Sequence, residues 1–429
     1  MPLYLADTFV SFRHRNFRLF FFGQTISLVG TWMQSVAQSW LVLLLTNSAF
    51  LLGLVGALST LPILLFSFWG GVVADHVNRR VMVIITNTAA LVLALLLGLL
   101  VYLEWVAIWH ILLIVLGLGT VMAFDIPARQ SFIVELVGKK DLPNAIALNS
   151  SLFNGTRVLG PAVAGLMIAS VGMANCFFIN ALTYLAPVLG LMLMRFPPSP
   201  GARPRPRTWT GMLELVGHLR SRPELSWMLV VMGIISVLVM PFLVLMPMIA
   251  RDVLGTGARG YGFLMAATGL GAFLGALILA NRLRRHSPMP FFWGGAVLLV
   301  LSLIAFSFCR NYLVAFGWLF LAGLGMVINI STTNSLLQLN VPDELRGRIM
   351  SLFSLILIGL NPVGSLLFGT LADYWGPCLT VGLGSSAAGL ACLVIFCYRP
   401  ELRGLSFGAE AVGLPSLKPG SGFSERLKN

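Results

Sequence analysis

The chain has 429 residues, of which 58 % are hydrophobic and 10 % charged, with mean hydropathy +0.91 and a formal net charge of +13. A soluble domain carries about 25 % charged residues, so these values exclude a water-soluble globule and make lipid the main solvent. Apolar runs of about 20 residues, the length that crosses a ~30 Å hydrocarbon core as a helix, recur along the whole chain.

Twelve spans are predicted, at 18–45, 50–74, 80–103, 106–124, 142–170, 174–194, 225–250, 260–281, 290–308, 312–334, 346–371 and 378–398. Backbone groups in lipid must bond internally, and these Leu/Ala/Gly-rich runs lack the alternation of barrel strands, so the fold class is an all-α membrane protein. The first run is too long and too polar for a cleavable signal and has no small-residue cleavage site. Down its length Gln24, Ser27, Thr31, Gln34 and Gln38 recur at helical spacing as one stripe. Such a stripe either walls a wet cavity or hydrogen-bonds a neighbouring helix.

Between the second and third spans, GGVVADHVNRR (70–80) places Asp75 and the pair Arg79-Arg80 in a tight turn. Asp125 is expected at the end of the fourth span, with Arg129 just beyond. The fifth span carries Asn154 and Arg157, the one basic residue expected deep in the membrane. An arginine at a helix centre costs roughly 2.5–3.5 kcal/mol on insertion scales, so Arg157 needs water or a partner. It faces a cavity, or it braces the first half against backbone carbonyls or the glutamines of the first span. A cavity-facing Arg157 in an acid-poor interior suits an anionic or neutral amphipathic substrate. Asn329 and Thr333 of the tenth span and Asn361 of the eleventh are the matching cavity candidates.

The segment 195–224 is a Pro/Arg-rich linker, extended at its start, with a short amphipathic helix predicted over 209–219. It separates two six-helix bundles, 1–194 and 225–400, and a disordered tail follows at 401–429. With the N-terminus inside, 24 of the 28 Lys and Arg fall on the cytoplasmic side and 3 outside, the remaining one being Arg157. This positive-inside bias puts both termini in the cytoplasm and accounts for the net charge without a nucleic-acid partner. The bundles also resemble each other: DLPNAI (141–146) matches ELRGRI (344–349), and GPAVAG (160–165) matches NPVGSL (361–366), at offsets of 203 and 201. A shared offset indicates internal duplication and pseudo-symmetric halves, the plan on which transporters rock around a midplane site.

Other motifs carry no chemistry. The five cysteines have no metal-ligand spacing, and no metal or cofactor is expected. GLGAFLG (269–275) lies inside a span as a packing stripe, and no P-loop, GxSxG or HExxH is present. GTLADYWG (369–376) reads like a second copy of the 70–80 motif but falls at the outer end of its helix, so Asp373 is not expected to act as the cytoplasmic latch. None of the fifteen acids is expected at mid-membrane.

Twelve spans as 6+6 with Gly71, Asp75, Arg79 and Arg80 in the 2–3 loop resemble the major facilitator superfamily, whose loop motif is G-x-x-x-D-R-x-G-R-R/K; His76 and Asn78 depart from it. Gly155, Gly160, Pro161 and Gly165 of GTRVLGPAVAG resemble the helix-packing motif of its exporting branches. The stretches 30–62 and 124–137 are similar to the enterobactin-exporter-like branch, the transmembrane secretion effectors. The resemblance implies a monomeric multi-pass protein of the bacterial inner membrane, exporting a small amphipathic siderophore, drug or secreted metabolite by proton antiport. It also implies a cytoplasmic gate, in which Asp75 docks on the N-terminus of the eleventh helix and an arginine of the pair bonds Asp125. Rival readings are an importer of the same fold and a non-transporting sensor, the latter disfavoured because no sizeable soluble domain is present.

Overall fold

The computed structural model describes residues 9–195, 210–282, 287–399 and 402. Among them twelve helices are long and apolar enough to cross a membrane: α1 (Arg15–Thr46), α2 (Ala49–His76), α3 (Arg79–Tyr102), α4 (Ile108–Gly138), α5 (Lys140–Val171), α6 (Met173–Met192), α7 (Pro223–Val253), α8 (Ala258–Ala280), α9 (Met289–Ser307), α10 (Tyr312–Leu339), α11 (Leu345–Trp375) and α12 (Pro377–Tyr398). An even number of crossings brings Arg15 and Tyr398 to the same side, the near face; the other side is the far face. The amphipathic linker helix is present as Thr210–Ser221. The rest of the Pro/Arg-rich stretch (196–209) and the tail, except Leu402, lie outside the described residues.

Short polar side chains start several helices by accepting the orphan first-turn amides. Ser48 Oγ accepts from Leu51 N at 3.3 Å, and Asn311 Oδ1 accepts from Leu313 N and Val314 N at 2.9 and 3.2 Å. Asn78, where the superfamily motif has glycine, caps α3 by accepting from Arg80 N at 3.0 Å. The departure therefore has a structural role of its own.

The main difference from the predicted spans is α4. Its expected end at 124 is only about halfway: the helix runs on through Asp125, Pro127 and Arg129 to Gly138, whose φ of +69° breaks it from α5. Beyond Asp125 one face of the helix, Phe132, Ile133, Leu136 and Val137, packs with Phe17 and Phe20 of α1. That amphipathic stripe keeps the segment helical despite its charges.

Irregular turns interrupt α7 at Val239–Pro241 and α11 at Leu360, next to Pro362. A broken helix in lipid must find new partners for its freed carbonyls, and Ser236 Oγ of α7 donates to Leu357 O of α11 at 3.0 Å.

The first six spans and the last six meet along two seams, α2 against α11 and α5 against α8. Both are tightest toward the far face, where glycines let backbones touch. A Cβ on Gly53 would sit 2.9 Å from Gly369 Cα, and one on Gly165 would sit 3.1 Å from Gly262 Cα. Trp40 of α1 stacks on Tyr261 of α8 at 5.8 Å beside the second seam. Gly53→Val is expected to wedge the first seam open. Overpacking of this kind costs about 1–3 kcal/mol, enough to lower the unfolding temperature of the purified protein by several degrees. An unchanged unfolding temperature in that variant would show the close approach to be incidental.

Candidate functional site

The first half contains a buried polar network on α1, α3 and α4. Asp125 is 9 % exposed, and its carboxylate takes Arg129 Nη2 at 3.0 Å, one helical turn on. Thr86 Oγ1 of α3 donates to Asp125 Oδ1 at 2.9 Å, and Asn87 Nδ2 approaches the same oxygen at 3.5 Å. Arg129 Nη1 donates in turn to Gln24 Oε1 of α1 at 2.8 Å. Asp125 is the eighteenth residue of α4, about 25 Å from its far-face end at 1.5 Å per residue. It is therefore not a helix-end acid, as the sequence reading expected, but lies among the spans.

The remaining α1 stripe belongs to the same bundle interior. Gln34 is buried and accepts from Asn180 Nδ2 of α6 at 2.5 Å, and Thr31 Oγ1 meets Tyr184 OH at 3.2 Å. Gln24, Thr31 and Gln34 thus bond neighbouring helices rather than wall a cavity in this conformation, while Ser27 and Gln38 are buried in the same interior. The same correction applies to Asn329 and Thr333. Both are fully buried inside the second half, where Asn329 Nδ2 donates to Phe292 O of α9 at 2.9 Å and Thr333 Oγ1 to Asn329 O at 2.8 Å.

At the near-face turn between α2 and α3, the expected partners are replaced. Arg79 Nη1 pairs with Glu135 rather than Asp125, and Arg79 Nε donates to Ala74 O at 3.3 Å. Arg80 Nη2 donates to Met192 O at 3.1 Å, capping α6, where a cation also suits the helix dipole. The Asp75 side chain is 44 % exposed and faces Arg79 Nη2 at 3.9 Å; it is not seated on α11. Glu135 lies eleven residues beyond the expected end of the fourth span, in the part of α4 that the predicted span leaves out.

Arg157 is the eighteenth of the thirty-two residues of α5 and lies where the halves meet. Its backbone packs against Gly269 of α8. Its guanidinium stands 5.8 Å from the Trp32 ring centroid of α1 and donates from Nη2 to Met326 Sδ of α10 at 3.7 Å. Among the described residues no carboxylate pairs with it within 4.0 Å. The glutamines that could have braced it are engaged elsewhere or buried. Asn154, one turn before, is half-buried and bonds its own helix at Ser150 O, 2.9 Å away; half-buried Asn361 accepts from Ser365 Oγ at 3.1 Å.

The α5 packing motif divides between neighbours. Gly160 lies against Trp32 and Val29 of α1, whereas Pro161 and Gly165 face Gly262 of α8; Gly155 has open space and makes no such contact. At the far face, Asp373 of α11 reaches the start of α2. Ala49 N donates to Oδ1 at 2.8 Å, and Phe50 N and Ser48 Oγ donate to Oδ2 at 3.1 and 3.2 Å.

Two packed six-helix halves that meet along the α2–α11 and α5–α8 seams define the major facilitator fold. The architecture matches a bacterial homologue of the human lysosomal transporter Spinster in its inward-facing, unoccupied conformation, at TM-score 0.70 and 15 % identity over 91 % of this chain and 96 % of that one. It matches the nucleoside transporter NupG at TM-score 0.70 and 12 % identity over 89 % and 98 %. Residues 6–413 match the transmembrane secretion effector family, and the chain belongs to it. Similar proteins are the Staphyloferrin A transporter of Staphylococcus aureus (25 % identical, covering 84 % of this chain and 90 % of that protein) and the multidrug efflux pump Tap of Mycolicibacterium fortuitum (26 %, 91 % and 97 %). The enterobactin exporter EntS of Escherichia coli O1:K1 is 27 % identical over 89 % of this chain and 90 % of its own length. The protein is thus a multi-pass membrane transporter of small molecules and not an enzyme.

Proposed function

We propose that the protein is a proton-driven exporter of a small amphipathic molecule bearing an acidic group, such as a siderophore, drug or secreted metabolite. It works as a monomer in a bacterial inner membrane with both termini cytoplasmic. Two of the three relatives above are named as an exporter and an efflux pump, which favours export over import. The distribution of 24 cytoplasmic to 3 external basic residues supports the near face as the cytoplasmic one. On that orientation the conformation described is closed to the outside, and an undocked Asp75 is what the gate reading expects of it.

The observation that carries proton coupling is Asp125. A carboxylate held between Arg129 and Thr86 inside the bundle is a group that one proton converts from ion-paired to neutral. Protonation breaks the Asp125–Arg129 pair while Arg129 keeps its bond to Gln24 and Thr86 keeps an acceptor, a local electrostatic event able to bias a two-state rocking equilibrium. The substrate's acidic group is drawn to Arg157, the mid-membrane cation without a carboxylate partner.

The test is a panel of metabolites and drugs, comparing accumulation in cells with and without the protein, each with and without a protonophore. Lower accumulation of acidic amphipaths, abolished by the protonophore, is the expected result. Protonophore-insensitive export removes the proton-driven part, and raised accumulation reverses the direction.

A further inference from the structure

We propose that Asp373 is a far-face latch, the reciprocal of Asp75, so that α2 and α11 exchange one acid-to-helix-start contact for another as the halves rock. The two helices lie side by side and run in opposite directions, each starting where the other ends. Both end on the same five-residue pattern, GVVAD (71–75) in α2 and GTLAD (369–373) in α11. An acid at the end of each helix therefore points at the start of the other, one on each face of the membrane.

On the far face the contact is made. Three donors of the α2 start, Ala49 N, Phe50 N and Ser48 Oγ, converge on the Asp373 carboxylate at 2.8 to 3.2 Å. A helix start carries roughly half a positive charge in addition to these unpaired amides. The glycine of the pattern explains the reach. Gly369 is one turn before Asp373 and on the same side of the helix, and a Cβ there would sit 2.8 Å from Ala49 O. Without a side chain at that position, the first turn of α2 comes close enough for the carboxylate to meet its amides. The same turn is gripped a second time from α7, where Arg251 donates to Asn47 Oδ1 while paired with Asp252.

On the near face the matching contact is absent: Asp75 is half exposed and turned to Arg79 of its own loop. One latch is thus seated and the other released in a single conformation, as a reciprocal pair requires. Between them α2 and α11 touch at Leu64 and Gly359, near the middle of both helices, where a rocking motion has its pivot. The far-face copy of the motif, on the wrong side for a cytoplasmic gate, is the second half of the device.

The inference rests on the alternating-access reading, and its test reads conformation rather than flux, so failure of the latch and failure of the transport assignment are distinguishable. Spin labels at Trp105→Cys and Leu313→Cys, exposed far-face positions of the two halves, report the far-face separation in a background lacking the native cysteines. Asp373→Asn removes the charge and one acceptor, and is expected to shift the open-to-closed ratio about five- to thirtyfold toward open. Asp75→Asn is expected to shift it in the opposite direction, and the double variant to return close to wild type. An unchanged distance distribution in Asp373→Asn, or single variants shifting the same way, overturns the proposal. A reading on the unaltered protein stands beside it: the amides of Ala49 and Phe50 should exchange more slowly than those of Cys378 and Leu379, at the start of α12, which has Gly376 and no side-chain cap. Equal exchange at the two helix starts also overturns it.

Discussion

Asp125→Asn is expected to abolish concentrative export while leaving downhill flux of the same substrate intact. Asparagine keeps an acceptor for Thr86, 2.9 Å away, but holds the site in the neutral form that a proton produces only transiently. The carrier then cycles without a proton. The size of the effect follows from what a proton supplies: moving one elementary charge through 100 mV is worth about 2.3 kcal/mol, which at 1.4 kcal/mol per decade sustains a gradient of about 40-fold. That component should vanish in inverted vesicles under an imposed potential, with the rate of substrate equilibration across unenergised vesicles largely kept. Retention of the full gradient would show that Asp125 is structural and that coupling resides elsewhere.

Arg129 is the control for this reading. It bonds both Asp125 and Gln24, so it joins α4 to α1 whatever the protonation state of Asp125. Removing one partner of a largely buried ion pair strands the other and is strongly destabilising. Either variant strands one partner, but Arg129→Leu also removes the bond to Gln24, whereas Asp125→Asn leaves that bond and an acceptor for Thr86 in place; Arg129→Leu is therefore expected to lower the amount of folded protein more.

The gross architecture was legible because lipid enforces it. All twelve spans, the division into six and six and the linker helix follow from run length and charge asymmetry, both local properties. The end of α4 was not legible in the same way. The stretch FDIPARQ mixes an acid, a proline and an arginine, and reads as the exit from a membrane. Its charges neutralise each other at i, i+4, however, and the apolar spacing of Phe132, Ile133, Leu136 and Val137 beyond it was available as a sign that the helix continues.

What periodicity could not decide is what covers a polar face. The α1 stripe has helical spacing on either reading, and its partners Arg129, Asn180 and Tyr184 are 105 to 153 residues away in the chain. Only their placement on α4 and α6 makes the stripe a seam between helices. The near-face turn shows the same limit from another side. The motif singles out its residues but not their partners, and here Arg79 pairs with Glu135 while Asp75 faces Arg79 across the turn.

Arg157→Gln is expected to separate stability from function. A mid-span arginine costs roughly 2.5–3.5 kcal/mol on insertion scales, and here it has a sulfur and an aromatic ring as neighbours in place of a carboxylate. If the residue only braced the fold, the neutral variant would be less stable. If it holds a substrate's acidic group, the variant should unfold at an equal or higher temperature and bind acidic substrate about ten- to hundredfold more weakly, the equivalent of a charge-assisted hydrogen bond of about 1.5–3 kcal/mol. Arg157→Lys keeps the charge but not the planar two-pronged donor, so it should fall between the two. Neutral amphipaths sharpen the distinction, because their transport should survive in all three proteins. Equal loss of acidic and neutral substrates, with a lowered unfolding temperature, would return Arg157 to the scaffold and leave the substrate's charge to be read elsewhere in the seam.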